Sequence, residues 1–167
     1  GCYCLYHGNL AINENEKAAI WLLQHVFNKV QIPFVIAGKK PSKRLEQLAH
    51  LHQHTCIVAN PSDKEMQDII GKAHVHVLPS LNNTGIKLKL LNAMFNGRHC
   101  LVNKAGVEGS GLESFCHMAM DAETFRKQIE ALYILPFTEQ EAQQRQGLLQ
   151  TMYNNETNAR LLMTFLQ

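Results

Sequence analysis

Short apolar runs alternate along this chain with longer stretches whose apolar residues recur every three or four positions. The runs are Cys2–Tyr6, Phe34–Ala37, Thr55–Ala59, Val75–Leu78 and His99–Val102, with a weaker sixth at Cys116–Met118. They are short, apolar on both faces and bounded by Gly, Pro or Asn, as buried parallel strands are. Between them the period is helical. A first helix is predicted from about Glu14 to Phe27, with Ala18, Leu22 and Val26 on one stripe, Asn13 as its cap and Glu16 three residues on. A second spans about Ser42 to Leu51. A third starts at Ser62, with Glu65 completing a capping box, and ends near Gly71. A fourth runs from Ile86 to about Asn96 and closes at Gly97, and a fifth covers Ala122 to Tyr133 behind Asp121. Pro136 then breaks the chain, Thr138 and Glu141 form another capping box, and helix follows to the end, interrupted near Asn154-Asn155.

Strand and helix in alternation at this spacing mean βαβ crossovers. The expected fold is therefore α/β: a doubly wound, mainly parallel, six-stranded Rossmann-like sheet with helices on both faces. Residues 1–135 form the Rossmann-like domain, and 136–167 form a polar helical tail packing on it. Such sheets bind ligands beyond the carboxyl ends of their strands. That rule puts Gly8-Asn9, Gly38-Lys39-Lys40, Asn60-Pro61, Asn82 to Lys87 and Asn103 to Gly109 on one rim.

Composition narrows the partners. The chain has 167 residues, 46% hydrophobic and 18% charged, and a formal charge of only +2, so it carries no general nucleic-acid footprint. No apolar run approaches the ~18 residues of a transmembrane segment. The opening Gly-Cys-Tyr-Cys-Leu-Tyr reads as a strand and not a signal peptide, and so abrupt a start points to a piece of a longer protein. The cysteines at 2, 4, 56, 100 and 116 form no Cys-x-x-Cys pair. Four lie in apolar runs, which suits reduced core cysteines of a cytoplasmic protein.

The stretch Thr84-Gly85-Ile86-Lys87-Leu88-Lys89-Leu90-Leu91-Asn92-Ala93-Met94 holds the candidate chemistry. A strand ending at Leu78-Pro79-Ser80, a Gly-containing loop and a helix opening on two lysines make an anion site, because the first N–H groups of a helix lack partners and carry the positive end of its dipole. Residues 80–104 contain four Lys/Arg and no acid. That suits a diphosphate better than a metal or a proton relay. On the fourth helix Ile86, Leu90, Ala93 and Met94 form one apolar side and Leu88, Leu91 and Phe95 another, which leaves Lys89, Asn92 and Asn96 as the polar stripe. On a helix this apolar, Lys89 and Asn92 need partners. A phosphate for Lys89 and a sugar hydroxyl for Asn92 is the functional reading; a snorkelling lysine and a structural amide is the alternative.

Other motifs contribute less. Lys39, Lys40, Lys43 and Arg44 follow the second strand and face either a phosphate or solvent. No Walker loop is present, nor a Gly-x-Gly-x-x-Gly after the first strand, so a nicotinamide enzyme is disfavoured. Gly106, Gly109 and Gly111 lie in a loop able to approach a ligand. His74 and His76 alternate and would share a face in a strand, but no carboxylate or second Cys/His set joins them, so no metal site is assigned. His7 reads as a strand-end hydrogen-bonding histidine. No catalytic constellation is complete, and the catalytic residues stay unknown; Glu108 is the one acid in a rim loop.

Several of these residues together resemble a known family. Tyr6-His7-Gly8-Asn9-Leu10 with Asn15-Glu16-Lys17-Ala18-Ala19 and Trp21-Leu22 is similar to the opening of the C-terminal half of family-4-type glycosyltransferases of the GT-B fold. Phe34 to Gly38, Val77 to Ser80, Gly85 to Met94 with Gly97, and Glu108-Gly109 with Asp121 to Ile129 resemble later segments of that half. The likeness covers about residues 3–133.

The resemblance implies the donor-binding half of a hexosyl-type glycosyltransferase. Such an enzyme moves a sugar from a nucleoside diphosphate (UDP or GDP) to a saccharide or lipid-linked acceptor, as in polysaccharide biosynthesis. No metal or other cofactor is required. The acceptor binds on an N-terminal half absent from this chain, where any contact with the inner membrane would also reside. On this reading the donor meets Gly8, Asn9, Lys39, Asn60, Thr84, Gly85, Ile86, Lys87, Lys89 and Asn92. The family often carries Glu-x7-Glu where this chain has Thr84 and Asn92, and Arg where it has Asn9, so Lys87 and Lys89 would supply the charge. Two alternatives stand beside it: a non-catalytic α/β nucleotide-binding or interaction domain descended from the family, and half of a nucleotide-sugar epimerase.

Overall fold

The computed structural model describes residues 1–81 and 87–152. Six strands, β1 (Cys4–His7), β2 (Phe34–Gly38), β3 (Thr55–Ala59), β4 (Val75–Leu78), β5 (His99–Val102) and β6 (His117–Met118), form one sheet in the order β3-β2-β1-β4-β5-β6. Every pairing is parallel. Helices α1 (Asn13–His25), α2 (Lys43–His50), α3 (Asp63–Lys72), α4 (Lys87–Asn96), a one-turn α5 (Lys104–Val107), α6 (Ala122–Tyr133) and α7 (Glu139–Met152) surround it. The doubly wound α/β expectation holds, and β1 begins two residues later than its apolar run.

Alternation along the central strands assigns the faces. Cys4, Tyr6, Phe34 and Ile36 join Ala18, Leu22 and Leu23 of α1 and Phe125 and Ile129 of α6 in the main core. Trp21 meets Phe125 edge-on, with ring centroids 5.6 Å apart. Leu5 and Ala37 point the other way, onto Ile70 and Ala73 at the end of α3. Edge strand β3 is only partly covered, so Cys56 is exposed, as is Cys2 ahead of β1. The expectation of core cysteines holds for Cys4 and Cys100, Cys116 is half-buried, and it fails at Cys2 and Cys56 because an edge strand and a strand lead-in lack a second covering layer. On α4, Leu90, Leu91, Ala93, Met94 and Phe95 are buried, but Leu88 stands 51% exposed, so the second apolar side is shorter than its sequence implies.

Caps account for most helix starts. Ser62 and Glu65 form the expected capping box on α3, and Asp121 caps α6 through the Thr124 amide at 2.8 Å. Thr138 and Glu141 exchange bonds at 2.8 and 3.1 Å ahead of α7. α1 departs from expectation: Asn13 is its first helical residue, Ile12 takes the cap position, and no side chain caps it. Glu16 instead accepts from the Ser42 hydroxyl, tying α1 to the start of α2. α7 is anchored by Arg145, a buried side chain whose guanidinium donates to the carbonyls of Gly97 and Arg98 at 2.7 Å each. Arg98 donates to the carbonyls of Gly71 and Ala73, so this cation braces the amino-terminal side of the sheet and adds nothing to the rim.

One backbone contact sets the rim. A Cβ built on Gly38 would lie 1.8 Å from the carbonyl oxygen of Gly8. The loops after β1 and β2 touch there, and only hydrogen fits between them. Gly38→Ala is expected to force these loops apart and destabilise the domain by about 1–3 kcal/mol or more, the usual range for overpacking. Thermal melting checks this, at roughly 2–4 °C lost per kcal/mol for a chain of this size.

Candidate functional site

The chain runs outward through β1, β2 and β3, then returns to place β4 on the other side of β1. A ligand crevice belongs at that reversal, outside the carboxyl ends of β1 and β4. β1 pairs with β2 at four positions but with β4 only at Cys4↔Val75 and Leu5↔His76, so Tyr6 and His7 border the opening.

Three loops build the outer wall. Asn9 folds its loop by accepting from the Ala11 amide at 3.1 Å through Oδ1, while its carbonyl accepts from the Ile12 amide at 3.1 Å. The Leu10 amide donates to the Lys39 carbonyl at 2.9 Å. Lys40 and Asn60 adopt left-handed backbone (φ 51° and 54°), and Asn60 Oδ1 accepts from the Lys40 amide at 2.8 Å, locking the second loop to the third. Gly8, Asn9, Gly38, Lys39 and Pro61, with Asp63 and Met66 of α3, line a cleft of about 230 Å³. The structure thus brings Gly8, Asn9 and Lys39 to one cleft and sets Asn60 at its border. Lys39 is exposed. Asp63, an acid the sequence reading did not single out, lines the cleft as the first residue of α3.

The inner wall belongs to Lys89. Its ammonium donates to Tyr6 Oη at 3.2 Å and to Asn15 Oδ1, and it stands 4.9 Å from the centre of the Tyr6 ring. A Cβ on Gly8 would lie 2.8 Å from Lys89 Cε, so the missing side chain at Gly8 makes room for the lysine. Asn15 Nδ2 donates in turn to the Asn9 carbonyl at 2.9 Å. No carboxylate pairs with this ammonium among the described residues. Burial alone pulls Lys89 from its ordinary 10.5 down to about 8. His7 lies beside it, fully buried, and burial together with the lysine charge pushes the imidazole down to about 3. Neither ring nitrogen of His7 has a hydrogen-bond partner among the described residues, which corrects the expected strand-end bond. The ring packs edge-on to His76 at 6.0 Å, and burial keeps the imidazole neutral.

Of the remaining candidates, Asn92 Oδ1 accepts from Asn96 Nδ2 at 2.7 Å, within its own helix. Thr84, Gly85 and Ile86 lie outside the described residues, and Lys87 is the first residue of α4. Asn103 clips the β4 exit to the β5 exit, accepting from the Ser80 amide at 2.9 Å and donating to the Ser80 carbonyl at 2.7 Å. The segment expected as an open loop after β5 contains α5, capped by Asn103 through the Gly106 amide. Glu108 is an exposed acid 3.9 Å from Lys104. His74 and His99 each bond the Leu135 carbonyl, at 2.8 and 3.0 Å. No group of three or more His, Cys, Asp or Glu able to hold a metal occurs among the described residues. No described helix is long and apolar enough to cross a membrane. Tyr6 and Asn15 are the site residues that sequence reasoning missed. Their signal was that both fall in the stretches Tyr6-His7-Gly8-Asn9-Leu10 and Asn15-Glu16-Lys17-Ala18-Ala19 that carry the family resemblance.

Residues 1–134 match the family Glycosyl transferases group 1. The chain belongs to that family. It is 32% identical to an uncharacterised 44.6 kDa protein in the cps region of Klebsiella pneumoniae, over 66% of this chain and 31% of that one. Among solved structures, a glycosyltransferase involved in avilamycin A biosynthesis superposes with a TM-score of 0.58 at 13% identity, over 87% of this chain and 45% of that one. The UDP-forming α,α-trehalose-phosphate synthase of Burkholderia xenovorans, in complex with glucose-6-phosphate, gives 0.59 at 16% identity, over 98% and 43%. The fold is that of a GT-B glycosyltransferase domain. This group 1 domain spans less than half the length of each of these relatives.

The buried lysine makes a signed expectation. Its folded value lies below its ordinary one, so the unfolded chain holds the proton more tightly. Stability is therefore expected to rise as pH climbs from about 8 to about 10.5. Melting temperatures across that window should show the rise in the native chain and its loss in Lys89→Met. His7 gives the acid counterpart: stability falls as pH drops below 6.5 toward about 3.

Proposed function

We propose that this domain is the donor-binding half of a family-4-type glycosyltransferase, with the acceptor held by a second domain. The donor is a nucleoside-diphosphate sugar, UDP- or GDP-linked, and the acceptor a saccharide or a lipid-linked saccharide. One observation carries the reading: the ammonium of Lys89, half-buried and without a carboxylate partner among the described residues, stands at the reversal of the strand order. A protein gains little by desolvating an unpaired cation unless an anion comes to it. A diphosphate supplies that anion, and it is also the group whose negative charge grows as the sugar leaves. Gly8, Asn9, Lys39 and Asn60 border the adjoining cleft, which would take the nucleoside, and Thr84, Gly85, Ile86 and Lys87 are the donor candidates that precede or open α4 in the sequence. Asn92 is the ribose candidate, and its amide would have to leave Asn96 to serve. No metal is needed for a lysine to neutralise the leaving group. The trehalose-phosphate synthase relative is described as UDP-forming, which favours testing UDP first.

Binding without transfer is the second reading. It is favoured by the neutral Thr84 and Asn92 where resemblance leads one to expect glutamates, and by the engagement of Asn92 within its own helix.

Melting the domain with UDP, GDP, ADP and TDP, with and without chelator, tests the proposal. A cognate diphosphate at a hundredfold its Kd adds about 2.7 kcal/mol of stability by mass action. Lys89→Ala is expected to shrink the shift, with affinity falling about tenfold or more, equivalent to about 1.4 kcal/mol. Indifference to all four nucleotides refutes the donor site. Donor hydrolysis or transfer by the full-length protein then separates an enzyme from a binding module.

A further inference from the structure

The side chain opposite Lys89 is an amide where a carboxylate would ordinarily sit. Asn15 lies in the first turn of α1 and uses both ends of its side chain. Oδ1 accepts from the Lys89 ammonium and from the Tyr6 hydroxyl, the latter at 3.3 Å, while Nδ2 donates to the Asn9 carbonyl. The bond to Asn9 fixes the orientation of the amide, because only Nδ2 donates and so Oδ1 must face the lysine. An ammonium has three N–H donors. Two go to Tyr6 and Asn15, and the third has no acceptor among the described residues. The lysine is thus held in place by neutral acceptors while its charge stays uncancelled.

We propose that Asn15 is a positioning residue that couples the Gly8-Asn9 loop to Lys89 and keeps the ammonium uncompensated for an incoming diphosphate. The inference rests on the donor-site reading above and adds to it a device that sets when the site is charged. A carboxylate at position 15 would hold Lys89 as firmly, but it would neutralise it and compete with the ligand. An apolar residue would leave the charge free and the lysine unheld.

The surroundings make Lys89 the group that titrates. Tyr6 and His7 of β1 face it, and burial keeps the phenol protonated and the imidazole neutral. α1 offers the neutral Asn15, while its Glu16 is taken by Ser42. α4 contains no acid. Anion binding therefore weakens as pH rises through about 8.

The test compares the native domain, Asn15→Asp, Asn15→Ala, Lys89→Met and Asn15→Ala/Lys89→Met. Calorimetric titration with UDP, GDP and inorganic pyrophosphate from pH 6.5 to 9.5 reads the ligand. Carbon-13 NMR of the lysine ε-methylenes, with Lys89→Met assigning the signal, reads the charge. An opposite charge this near shifts a pKa by about 1–3 units, so Asn15→Asp is expected to raise the Lys89 midpoint by at least about one unit. Its affinity at pH 7 should fall about tenfold or more, equivalent to about 1.4 kcal/mol. Asn15→Ala should weaken binding in the native background and change nothing in Lys89→Met, since coupled residues fail additivity. That cycle stands even if Asn15→Asp does not fold. A native protein that binds while Asn15→Asp keeps its affinity and Lys89 midpoint, or while Asn15→Ala adds its loss on top of Lys89→Met, overturns this inference alone. A native protein that binds none of the three ligands at any pH overturns the donor site and this inference together.

Discussion

An ammonium without a counter-charge is costly to desolvate, and this domain accepts that cost at one point of its rim. Lys89 reaches from α4 across the end of β1, and everything around it is arranged to receive it. Tyr6 turns its hydroxyl and ring face to it, Gly8 removes the side chain that would block it, Asn15 accepts from it, and His7 beneath it stays neutral. Each neighbour tolerates the charge and none cancels it. A site built that way holds its electrostatic capacity in reserve for something that arrives with negative charge.

That arrangement depends in turn on topology. Because β4 returns to the side of β1 opposite β2, α4 begins beside the loop that leads into α1, and a residue in the first turn of α4 meets a residue in the first turn of α1. The contact of Gly38 with Gly8 then fixes the height of that loop against the next one out. The solved structures share the fold at sequence identities of 13% and 16%, where few individual side chains are held in common. The crevice is therefore a property of strand order, and the chemistry within it is a property of the particular residues that line it.

Much of the architecture was legible because each strand is a short apolar run and most helices begin on a recognisable cap, as at Ser62, Asp121 and Thr138. The start of α1 was misread because Asn13 and Glu16 imitate a cap, whereas the turn is made by Asn9 and Glu16 is needed by Ser42. The one-turn α5 was hidden by a glycine-rich composition that ordinarily means loop. On the rim, Gly8, Asn9 and Lys39 follow from the rule that loops after parallel strands converge. Asn15 and Tyr6 do not. An asparagine near a helix start reads as a surface residue and a strand tyrosine as core, and only three-dimensional contact shows them sharing one lysine.

An all-parallel sheet has no hairpins, and this affects how the chain reaches its native state. The nearest paired residues along the sequence are Leu101 with His117 and Val102 with Met118, and central β1 cannot complete its pairing until Val75 meets Cys4. Each such closure spends chain entropy before any ladder contact rewards it. The last hydrogen bonds of β1 thus form only once more than the first third of the polypeptide has been threaded around it. The crevice beside β1 therefore rests on the longest loop closure in the sheet, the one that brings Val75 to Cys4.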